Sequence, residues 1–181
     1  MDEPLELSFK QQRVFRWLVW GFAISMVLHN LEELLRMLPF IEEHAGEFPA
    51  FLRQLANQWQ PQSFALAIWA INIVAILLAW YISGHPASRK VHWLAALLAT
   101  LMLVNAFSHI GQSLYLHALA PGVVTAVVLI LPCTLSLLIM EHCSGLLNAR
   151  QQLLLLVIAV PLMLAVIILL INLAGWITNF Y

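Results

Sequence analysis

Charge is what this sequence has least of. Lys and Arg number 8 and Asp and Glu 9 in 181 residues, or 9% of the chain. A soluble domain carries about 25%, so a water-facing globular fold is excluded. The net charge of −1, with no basic stripe, excludes a nucleic-acid binder as well. There are only two cysteines: Cys133 and Cys143 sit in apolar settings and cannot build a disulfide scaffold. They are read as buried or reduced thiols. No internal repeat or low-complexity tract occurs. The basic start and small-residue cleavage site of a signal peptide are also missing, so the first apolar run is expected to be retained. Nor do the apolar runs alternate with polar residues, as the strands of a membrane barrel would.

What is there is apolar, 62% of the chain. It falls into five runs, about 14–38, 63–83, 91–117, 121–141 and 153–176. Each is near the ~20 residues that cross a ~30 Å hydrocarbon core. The expectation is an all-α fold, a single integral membrane domain of five transmembrane helices. Pro39 is expected to end the first span, and Gly84-His85-Pro86 the second. Pro121 suits the first position of the fourth, and Pro132 and Pro161 are expected to kink their helices. Residues 40–62 mix Glu42, Glu43, His44, Glu47 and Arg53 with Phe48, Phe51, Leu52, Leu55 and Trp59. That pattern predicts a short amphipathic surface helix in the first outer loop, framed by Pro49 and Pro61.

Basic residues set the orientation. Lys10, Arg13, Arg16, Arg89, Lys90 and Arg150 fall on one side, and only Arg36 and Arg53 on the other. The N-terminus is therefore expected in the cytoplasm and the C-terminus outside. A bacterial inner (plasma) membrane is the expected location.

Depth then sorts the few polar residues. Glu32 lies 16 residues past Arg16, about 24 Å along a helix, in the outer part of the core. His29, Glu32 and Glu33 share that level with Asn105, His109 and Gln112 of the third span, with His117 at its boundary. Thr125 and Asn172 fall in the same layer, and Asn72 near the middle. His29 and Glu33 are i, i+4; Asn105 and His109 repeat that spacing, and Gln112 extends the stripe. Two helices thus offer facing polar stripes. An intramembrane carboxylate costs a few kcal/mol and calls for a partner or a metal.

Imidazole and carboxylate one turn apart converge on a divalent ion. The order His-x-x-Glu-Glu is an inverted zincin pattern with its last ligand changed. On that reading His29, Glu33, His109 and His117 hold the metal, zinc first, with iron or manganese as alternatives. Glu32 activates water, and Asn105 and Gln112 orient reacting groups. A plainer alternative makes Glu32 and Glu33 a helix end at the headgroups, paired with Arg36. His44, His85, His92 and His142 lie in or beside loops and are expected at the surface.

His29-Asn30-Leu31-Glu32-Glu33, the later His109 and Pro121-Gly122 resemble the HXXEE family of small bacterial and archaeal membrane proteins. That family carries a further histidine and a Tyr-x-Pro-Gly motif. Here the last element reads Leu119-Ala120-Pro121-Gly122, and Tyr115 stands four residues before Leu119. The resemblance implies an integral membrane protein of undefined function, for which an enzymatic role has been suspected. The expected function is a metal-dependent hydrolase or acyltransferase facing outward, acting on a lipophilic substrate from the bilayer. Alternatives are a metal-free acid/base isomerase, a small transporter or proton relay, and a structural subunit. Transport ranks lower because few polar residues continue toward the cytoplasmic face.

Overall fold

The computed structural model describes residues 7–44, 46–48 and 61–178, nearly all of them in five helices. They are α1 (Phe9–His44), α2 (Pro61–Gly84), α3 (Arg89–Tyr115), α4 (Val123–Cys143) and α5 (Ala149–Thr178). All five are long and apolar enough to cross a membrane. No strand occurs among the described residues. Trp17, Leu35, Trp80 and Leu169 stand exposed along the helix surfaces, an arrangement suited to lipid rather than water.

The helix ends follow local chemistry. At α1, Ser8 and Gln11 form a reciprocal capping pair: each backbone N–H donates to the other's side chain. Asn148 and Gln151 do the same at α5. Helix α4 ends on Gly145, whose φ of +69° suits the left-handed terminating position. There Leu146 N donates to the Glu141 carbonyl at 3.1 Å and Gly145 N to the His142 carbonyl at 3.0 Å.

Two expectations about the end of α1 are revised. Pro39 lies inside the helix, which continues to His44. Proline removes one backbone bond, but Pro39 sits on an exposed face. The next turn is held by Phe40, which packs on Leu116 and Ala120 and stacks on His44. Residues 40–44 of the expected surface helix therefore belong to α1. Most of the rest of that segment, residues 49–60 included, lies outside the described residues.

Helix α1 packs on α2 and α4, while α3 packs on α4 and α5. The main core joins Phe15, Val19 and Ala23 of α1 to Ala95, Ala96 and Ala99 of α3 and Leu137 of α4. Alanine on the buried face of α3 lets the backbones approach closely, as bundles in lipid require. Nearer the start of α4, Ala106, Ala126 and Ile130 form a second apolar layer. Ala126–Ile130 is a widened π turn separated by Leu131 from Pro132, which has no N–H to continue a regular α ladder.

Candidate functional site

Helices α1 and α3 bring their C-terminal halves to one level, where α4 begins. His29, fully buried, and Glu33, partly buried, come from α1, one turn apart. His109 comes from α3, with its ring edge-on to that of His29 at a centroid distance of 4.8 Å. His109 Nε2 lies 2.9 Å from Glu33 Oε1, and His29 Nε2 lies 3.8 Å from the same oxygen. Asn105 Nδ2 donates to His29 Nε2 at 2.9 Å and lies 3.3 Å from His109 Nε2. One atom from each of His29, Glu33 and His109 thus falls within a 4.8 Å span.

The start of α4 closes this group. Gly122 has φ +83°, and a Cβ there would lie 2.8 Å from His29 Cε1, 3.1 Å from His109 Cε1 and 3.2 Å from Glu33 Cγ. Any side chain would therefore overlap His29 and crowd His109 and Glu33. Pro121 is expected at the first position of the fourth helix and Gly122 only as part of a motif; the helix begins instead at Val123, because Gly122 takes the left-handed cap position. Glycine is needed twice here, for its dihedral and for its bareness.

Glu32 is turned away from the trio, about 100° round the helix from Glu33. Its Oε2 accepts from the Thr125 hydroxyl at 2.6 Å and from Thr125 N at 2.9 Å. Its Oε1 accepts from Arg36 Nη1 at 3.0 Å. The carboxylate thereby caps an N–H in the first turn of α4, a favoured place for negative charge. The pairing with Arg36 anticipated from the i, i+4 spacing is present. Thr125 Oγ1 in turn lies 3.0 Å from His29 Nδ1. Sequence reasoning noted Thr125 only as polar; its place three residues after Gly122 was the available signal.

Two expected members lie apart from the trio. His117 is exposed, with φ +49°, and fills the left-handed position that ends α3. Ala118 N closes that end onto the Ser113 carbonyl at 3.2 Å. Gln112 is half-buried one turn beyond His109, and its side chain takes no part in the network. Asn72, by contrast, accepts from Asn30 Nδ2 at 2.7 Å and ties α2 to α1. Asn172 is exposed and bonds its own helix through Ile168 O.

A second His/Glu pair contradicts the expectation that His92 is a surface residue. His92 and Glu141 are both fully buried. His92 Nδ1 lies 2.8 and 3.0 Å from the two Glu141 oxygens, and Nε2 donates to the Pro86 carbonyl at 2.9 Å. Phe15 covers the ring at 4.2 Å. His85 and His142 are exposed, as expected, and His44 is half-buried. Cys143 is exposed and Cys133 half-buried.

The donor set suits a divalent ion. Zinc at ~2.0–2.1 Å from tetrahedral ligands sets the ligand atoms about 3.3–3.4 Å apart; the two separations to Glu33 bracket that value. His109 Nδ1, on the other side of the ring from Glu33, is buried and has no hydrogen-bond partner among the described residues.

Fold and site together define a helical membrane bundle enclosing a His/Glu cluster at one end. Over residues 20–137 the chain matches the family described as "Protein of unknown function with HXXEE motif". The chain belongs to the HXXEE family. No curated protein and no solved structure matches it.

Proposed function

We propose that this protein is a metal-dependent enzyme of the membrane, hydrolysing or transferring an acyl-type group on a lipophilic substrate. The observation that carries the reading is the convergence of His29 Nε2 and His109 Nε2 on Glu33 Oε1. These three residues would hold the ion, zinc first and iron or manganese otherwise. A bound ion would supply Lewis-acid polarisation of a carbonyl or phosphoryl group. Asn105, whose amide lies against both imidazoles, would orient the two rings. Glu33, 14% exposed at its side chain, is the group through which an incoming molecule first meets the cluster.

Both oxygens of Glu32 are engaged by Thr125 and Arg36, which favours orientation over water activation for that residue. The six-to-two bias of basic residues supports an orientation with the cluster toward the outer side of the membrane. A conduit is disfavoured by what lies between the two His/Glu groups. Ala95, Ala96, Ala99, Ala106, Ile130 and Leu137 are buried there. Thr100 and Thr134 donate to carbonyls of their own helices.

The test is elemental analysis of detergent-purified protein, as isolated and after incubation with zinc, iron or manganese. One ion per chain is expected, lost in His29→Ala and in His109→Ala while helical circular dichroism persists. Wild-type protein that takes up none of the three metals sinks the proposal.

A further inference from the structure

We infer that Thr125, held by Glu32, is a positioning residue that decides which nitrogen of His29 carries the proton. The argument is one of hydrogen counting. A hydroxyl has a single hydrogen to give. The 2.6 Å separation from Thr125 Oγ1 to Glu32 Oε2 is that of a hydroxyl donating to a carboxylate. Glu32 has no proton of its own to offer in return, since it also accepts from Thr125 N and from Arg36. The one other acceptor near the hydroxyl, the Gly122 carbonyl at 3.2 Å, likewise cannot donate. Thr125 Oγ1 is therefore left as an acceptor toward His29 Nδ1 at 3.0 Å, and Nδ1 must carry the hydrogen.

The consequence reaches the other side of the ring. With Nδ1–H fixed, His29 Nε2 keeps its lone pair. That nitrogen points into the cluster, where Asn105 Nδ2 donates to it at 2.9 Å. The chain Glu32–Thr125–His29 thus runs from the capped start of α4 to the atom nearest Glu33 and His109. Loss of a partner that orients a ligating histidine costs about 10–100-fold in metal affinity. The metal consequence rests on the proposed function; the tautomer does not.

Nitrogen NMR of metal-free protein carrying isotopically labelled histidine reads the tautomer directly, with His29 assigned by its loss in His29→Asn. The wild type and Thr125→Ser should show His29 protonated at Nδ1. Thr125→Val removes the hydroxyl acceptor while Asn105 still faces Nε2, so the preference for Nδ1 should weaken and zinc binding fall about 10–100-fold. A wild-type ring protonated on Nε2 overturns the inference, whatever the variants do. So does a Thr125→Val protein that keeps both the wild-type tautomer and its zinc affinity. If Thr125→Val does not fold, the wild-type and Thr125→Ser spectra still decide. If the wild type binds no metal, the proposed function fails on its own while the same spectra judge the tautomer.

Discussion

Two histidine–glutamate groups in one bundle illustrate how the same side chains come to differ. At His92 and Glu141 every donor meets an acceptor inside the protein: both imidazole nitrogens are bonded and both carboxylate oxygens face the ring. Phe15 covers the pair, and neither residue reaches the surface. At His29, Glu33 and His109 the count does not close. One nitrogen has no partner, three potential ligand atoms crowd together, and the carboxylate is partly open. A closed pair fastens helices; an open one has capacity left for a guest. Burial and chemistry alone would not separate them, whereas hydrogen-bond satisfaction does.

The largest expected effect comes from breaking the closed pair. Glu141→Ala strands His92 in a fully buried position and should cost about 3–5 kcal/mol. The readout is the denaturation midpoint in detergent, with zinc binding retained by whatever fraction folds. A Glu141→Ala protein of unchanged stability that had lost its metal would erase the distinction. Next comes Gly122→Ala, which pushes a methyl against His29 and His109 at a left-handed φ. Its strain, about 1–3 kcal/mol, should fall on the open site, weakening zinc about tenfold or more while His92 and Glu141 stay paired. Isothermal titration with zinc measures this; unchanged affinity would mean that Gly122 does not shape the cluster. The smallest effect is expected from Asn72→Ala, which removes the acceptor for Asn30. Interhelical bonds in bilayers average about 0.6 kcal/mol. A loss as large as that of Glu141→Ala would show that satisfied pairs are not ordered by charge.

Much of this was legible in the residues, for identifiable reasons. Five apolar runs interrupted by Pro, Gly and charge give five helices, because lipid leaves a spanning backbone few other choices. His29, Glu33 and His109 could be matched because helical rise converts sequence position into depth. Rise says less about bearing. Glu32 and Glu33 are neighbours in sequence but turn to different helices, one to the start of α4 and the other to His109. His117 shares the depth of the cluster but is spent on ending α3. Pro39 looked like a stop because its effect on the backbone is local; the contacts of Phe40 with Leu116 and Ala120 come from the distant end of α3. The His92–Glu141 pair spans 49 residues. Its burial depends on how two loops fold over the helix ends, which residue spacing does not encode.

The widened turn at Ala126–Ile130 has an angular consequence. Thr125 and Glu141 are 16 positions apart, which in an uninterrupted α-helix would put them about 160° apart around the axis, at 100° per residue. A π turn takes in one additional residue, reducing that bearing to about 60°. The helix is in effect rephased midway. Its first turn addresses His29 and Glu32 while its last addresses His92, and one rod serves two sites whose bearings a regular helix would have set nearly opposite.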